Sequence, residues 1–137
     1  MYATAKQILA EIDRVLAGVD TQQVDMLLGA ITGSRRVFVY GLGREGLVMK
    51  GFAMRLMHLG VPVAVVGDMT TPPIGPGDLF LVSCGPGYLG TVEALVSVAQ
   101  AAGGRVAMIT AEPQARLPRR ADQLLVLGAQ TMAQQEG

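Results

Sequence analysis

Apolar residues recur along this chain in two rhythms, one near 3.6 residues and one near two, and the changes of rhythm mark its elements. Ile8, Leu9, Ile12, Val15 and Leu16 keep helical spacing and predict a first helix over residues 3–17, stopped by Gly18. Asp20 reads as the N-cap of a second helix, with Gln23 three residues on as the capping-box partner and Val19 stapled to Val24. Val24, Leu27, Leu28 and Ile31 share one face of that helix, which runs to Gly33. A short β-branched and aromatic run over 37–40 then predicts a buried strand that leads into a glycine-rich turn.

Beyond the turn, a helix over 46–59 carries Leu47, Val48, Met49, Phe52, Ala53, Met54, Leu56 and Met57 around most of its circumference. A helix apolar on nearly all sides is covered on nearly all sides, so one side is expected to meet a second copy of the chain. Strands are predicted over 61–66, 78–83, 105–110 and 123–127. A helix over 91–102 and a helical turn over 115–121 lie between the later ones, and 69–77 is too rich in Pro and Gly for either. Strands alternating with helices imply right-handed crossovers and an α/β fold, a five-stranded parallel sheet in a three-layer α/β/α sandwich. In such sheets the ligand sits beyond the carboxyl ends of the strands at the switch point. The turns after the strands at 37–40 and 78–83 should therefore face each other.

Composition narrows the picture. The 137 residues suit one domain, with helices over 1–33, an α/β core over 36–127 and a tail over 128–137 without usable periodicity. Half the residues are hydrophobic and only 16% charged, which again points to apolar surface covered by another subunit. Eleven basic and eleven acidic side chains cancel, so no general attraction draws the chain to nucleic acid or an anionic membrane. No apolar run approaches the roughly 20 residues that cross a bilayer, and the N-terminus lacks the pattern of a secretory signal. A single cysteine, Cys84, excludes an internal disulfide and suits a small buried apolar role in a reducing compartment. The expectation is a soluble, cytoplasmic protein.

The chemistry concentrates in the turns. Gly41-Leu42-Gly43-Arg44-Glu45-Gly46 lets backbone N–H groups and a helix N-terminus approach an anion. Its Gly-x-Gly-x-x-Gly spacing is also that of dinucleotide sites, and Asp68, about 20 residues on, stands where a ribose-binding carboxylate is expected. Two leading helices, a second glycine turn and the Thr70-Thr71-Pro72-Pro73 loop weigh against that reading.

Taken with Phe52-Ala53-Met54-Arg55-Leu56-Met57-His58-Leu59-Gly60, Thr70-Thr71-Pro72-Pro73-Ile74 and Gly75-Pro76-Gly77-Asp78-Leu79, the first turn resembles the sugar isomerase (SIS) domain family, and within it the 6-phospho-3-hexuloisomerases. The similarity runs from about Val37 to Leu127. It implies a flavodoxin-like sheet, a phosphosugar at the strand ends, no metal or other cofactor, and self-association into a dimer or tetramer. The implied reaction is an aldose–ketose shift through an enediolate.

On that resemblance His58 reaches a neighbouring subunit's site; by residue type alone it is a packed core or interface residue. Arg44 meets the substrate's charged or hydroxyl end, or else forms a salt bridge. Gly41, Gly43, Thr70, Thr71, Ser83, Cys84, Gly85, Gly87, Tyr88 and Thr91 are the remaining candidates for substrate contact, with Thr91 equally suited to cap its helix. Two departures stand out. Glu45 replaces the family's serine, as a recruited proton-transfer group or as the mark of a cleft closed to phosphate. The family's second turn, Ser-Gly-Ser-Gly-Glu-Thr, reads here Cys84-Gly85-Pro86-Gly87-Tyr88-Leu89, and Pro86 offers neither hydroxyl nor N–H. Each lost charge-assisted bond to phosphate costs roughly 1.5–3 kcal/mol. The family's C-terminal helix, which brings a glutamate to the site, is missing from the tail, where Glu136 is the one carboxylate.

Overall fold

The computed structural model describes residues 1–130; Glu136 and the end of the tail lie outside the described residues. Helices α1 (Tyr2–Ala17) and α2 (Thr21–Gly33) precede β1 (Val37–Gly41), α3 (Arg44–His58), β2 (Val63–Val65), β3 (Leu79–Ser83), α4 (Gly90–Ala101), β4 (Arg105–Thr110), a 3-10 turn (Pro118–Arg120) and β5 (Gln123–Val126). All pairings are parallel, in the order β2-β1-β3-β4-β5. This is the flavodoxin-like order, and its switch point lies between β1 and β3.

The two faces of the sheet follow from the period-2 alternation of side chains. Val37, Val39, Leu79, Leu81 and Ala107 point to one face and pack against Ile31 of α2 and Met49, Ala53 and Leu56 of α3. Phe38, Phe80, Val82, Val106 and Met108 point to the other and pack against Val92, Val96 and Ala99 of α4 and against Leu117. Burying one such side chain is worth about 1.5–3 kcal/mol. The result is the three-layer arrangement expected from the strand and helix alternation.

The boundaries moved where backbone chemistry overrode the pattern. Helix α3 begins at Arg44 rather than at residue 46, because Gly43, at φ +58°, serves as its N-cap. Strand β2 keeps only three of the six residues expected, since it sits at the sheet edge, Pro62 has no N–H to pair, and the chain turns after Val65 with Asp68 N–H on its carbonyl. Asp20 does cap α2, through the Gln22 amide at 2.8 Å. The capping-box partner does not form, because Gln23 Oε1 accepts instead from the Val126 amide at 2.9 Å and ties α2 to the edge strand β5.

At the amino ends of the strands, Arg35 donates through Nε and Nη2 to the two carboxylate oxygens of Asp78 at 3.1 and 2.9 Å. The Gly75 amide adds a third bond at 2.8 Å. Asp78 is buried, and these bonds, the Arg35 guanidinium first, hold its carboxyl below the usual carboxylate range.

Helix α1 buries none of its residues, so it does not cover the sheet; Ile8, Leu9, Ile12 and Leu16 are exposed. On α3, Leu47, Val48, Met54 and Met57 are likewise exposed opposite the buried stripe.

Candidate functional site

At the switch point the carboxyl ends of β1 and β3 lie side by side, Gly41 opposite Ser83. The first turn is folded tightly on itself. A Cβ on Gly41 would come within 2.8 Å of the Glu45 carbonyl carbon, and one on Gly46 would overlap the Gly41 carbonyl oxygen. Only a pair of glycines lets the strand end and the first turn of α3 approach this closely. The position of the Glu45 backbone is fixed by that contact.

From there the Glu45 side chain crosses to the second turn. Its Oε1 accepts from the Ser83 hydroxyl at 2.7 Å and from the Gly85 amide at 2.9 Å. Among the described residues Oε2 accepts no hydrogen bond. The two turns thus face each other as expected, with a carboxylate of the protein between them. At an effective dielectric constant of about 20, a further negative charge about 4 Å from that carboxylate costs about 4 kcal/mol.

Leu42, Gly43, Arg44, Glu45, Ser83, Gly85, Pro86 and Leu89 line a cleft of about 540 Å³, closed on its other side by Ile109, Thr110, Ala111 and the chain beyond β5. Arg44 is exposed in the first turn of α3. Thr110 and the outer wall were not read from the sequence. A hydroxyl at the carboxyl end of a central strand was the available signal: Thr110 Oγ1 donates to the Gly85 carbonyl at 3.3 Å and accepts from the Glu112 amide at 3.1 Å, which steadies the second turn.

Other candidates lie outside the cleft. Cys84 is fully buried in the core on the α4 side, and burial, then the nearby Glu45 charge, pushes its thiol up to about 11. It stays protonated and packs as a small apolar residue, while its backbone holds the turn. Gly87 is buried against Glu112 and Ala115. Tyr88 is exposed, with the Arg116 guanidinium 5.1 Å from its ring centre. Thr91 is exposed and makes no cap bond; Leu89 occupies the N-cap position.

Thr70 and Thr71 are not brought to this cleft. They line a separate groove along the outer edge of β2 with Arg36, Asp68 and Pro72, and the Thr71 hydroxyl donates to the Val65 carbonyl. His58 ends α3, exposed and about 20 Å along the helix from the turn. Among the described residues no group of three or more His, Cys, Asp or Glu side chains comes together to hold a metal ion, and no helix is long and apolar enough to cross a membrane.

A family model described as the SIS domain matches residues 30–133. A Mycobacterium gastri protein named 3-hexulose-6-phosphate isomerase is 44% identical over 119 residues, covering 87% of this chain and 60% of that protein. A Bacillus subtilis protein of the same name is 33% identical, covering 96% of this chain and 71% of that one. Among solved structures, a hypothetical protein of Methanococcus jannaschii, whose structure infers a molecular function of 3-hexulose-6-phosphate isomerase, matches with a TM-score of 0.76 at 30% identity, over 81% of this chain and 62% of that one. The chain therefore spans 60 to 71% of the length of these relatives. With a family model covering most of the sequence and the sheet order to match, the chain belongs to the SIS domain family.

Proposed function

We propose that this protein binds an open-chain hexulose derivative across the paired turns and moves its carbonyl between neighbouring carbons through an enediolate. The observation that carries this reading is the Glu45 carboxylate at the switch point, anchored through Oε1 and free of protein donors at Oε2 among the described residues. A carboxylate held this way is suited to take a proton from the carbon beside a carbonyl and return it to the adjacent carbon. Arg44, on the same wall of the cleft, supplies positive charge for the developing oxyanion. His58 stands too far along α3 to serve its own cleft, and on this reading it serves a neighbouring subunit's. The names of the M. gastri and B. subtilis relatives support the reaction class.

The test is turnover by the purified protein of a panel of hexuloses and their 6-phosphates, followed by NMR. Glu45→Gln is expected to lower kcat by about 100-fold to 10,000-fold, the span of general-base contributions, and His58→Ala to lower it as well. Absence of turnover in the wild type removes the enzymatic reading.

A second reading rests on Pro86 and Leu89 in the cleft wall, which replace polar groups of the family's turn. On it the protein is a sugar-derivative-binding module without chemistry, and a ligand raises the melting temperature without turnover. A dinucleotide has less support, because Glu45 places negative charge at the helix start where a pyrophosphate would lie. A cytoplasmic setting and a dimer or tetramer complete the proposal.

A further inference from the structure

The position between the two turns already holds a charge belonging to the protein, and the donors of the second turn nearest to it, from Ser83 to Gly87, are taken. The Cys84 amide donates to the Ile109 carbonyl at 2.9 Å, the Gly85 amide to Glu45, and the Gly87 amide to the Cys84 carbonyl at 3.0 Å. Pro86 has no N–H. The Ser83 hydroxyl is also directed at Glu45. What this corner of the cleft presents to a ligand is an acceptor, Glu45 Oε2.

We infer that Glu45 is the specificity-determining residue of the cleft and that its ligand is an unphosphorylated ketose or aldose derivative, which donates hydroxyl hydrogens to Oε2. The inference rests on the sugar-cleft reading above and specifies the class of sugar. An open-chain polyol carries several O–H donors, each able to meet a carboxylate lone pair. A phosphate monoester carries nearly two negative charges at neutral pH and brings mainly acceptors. It would meet Glu45 with repulsion and find Gly85 and Ser83 occupied. A serine at this position would leave the same two donors to an outside anion, so one substitution inverts the polarity of the corner.

Isothermal titration of the wild type, E45Q and E45S with inorganic phosphate, fructose 6-phosphate and fructose tests this. The wild type is expected to take up no phosphate and to bind fructose more tightly than fructose 6-phosphate. E45S removes the charge and returns the Gly85 and Ser83 donors. It is expected to bind phosphate and to shift the ratio of the two sugar affinities about 100-fold toward the phosphorylated form, with E45Q in between. A wild type that prefers fructose 6-phosphate, or equal ratios in wild type and a folded E45S, overturns the inference and leaves the sugar cleft standing. Should E45S fail to fold, E45Q keeps the shape of the side chain, and an unchanged ratio there has the same force. No heat from any ligand with any of the three proteins overturns the sugar-cleft reading itself.

Discussion

Gly46 and Gly41 show what a single Cβ decides in this protein. The Gly46→Ala side chain would overlap the Gly41 carbonyl oxygen, so the turn must open or the helix must shift. The expected cost is about 1–3 kcal/mol, typical of overpacking, measured as a lower midpoint in urea unfolding. An unchanged midpoint would mean that the contact is slack. The glycine spacing was legible in the sequence, and so was the conflict of a carboxylate in a cradle for anions. The answer to that conflict was not. Glu45 meets Ser83 and Gly85 across 38 and 40 residues of sequence, and only the placement of β1 beside β3 brings them together.

At the scale of elements, periodicity located every helix and strand of the described residues, and the misplacements were local. Gln23 was read by its distance from Asp20, whereas its partner, Val126, lies 103 residues away. The resemblance puts the Thr70-Thr71 loop at the cleft; in the fold it follows β2, the edge strand, which β1 separates from β3 and the second turn. Of the eight apolar residues that circle α3, Met49, Ala53 and Leu56 are buried and the other five are exposed in the single chain. Together with α1, which buries nothing, α3 leaves two apolar surfaces for a second copy. Light scattering at micromolar concentration is expected to give a dimer or tetramer. Replacing Val48 and Met54 together by lysine is expected to reduce it to monomer with the circular dichroism unchanged, and a wild-type monomer would remove the proposal.

Over the whole molecule, the two ends of the sheet are specialised differently. The carboxyl ends carry the cleft, while the amino ends carry the Arg35–Asp78 clamp, which the sequence did not disclose because its partners are 43 residues apart. Asp78 is buried and its carboxyl is held below the usual range, so its charge favours the folded state. That contribution is present above the unfolded-state value of about 4 and is lost as pH falls through the lower folded-state value. Asp78→Asn is expected to lower the urea midpoint at pH 7, because the buried end of the pair loses its charge while the exposed Arg35 guanidinium turns to water. In urea titrations the gap between wild type and variant should narrow below about pH 4. A gap that stays constant to pH 3 would show that the carboxylate charge is not what stabilises the pair.

The close packing of Gly41 on Gly46 has a consequence for how such a cleft changes over time. Because the two glycines pin the backbone on either side, position 45 is a socket whose side chain can be exchanged while its frame stays put. A lineage can therefore alter what the pocket accepts by one codon at that socket, with the backbone frame held by the glycine contact.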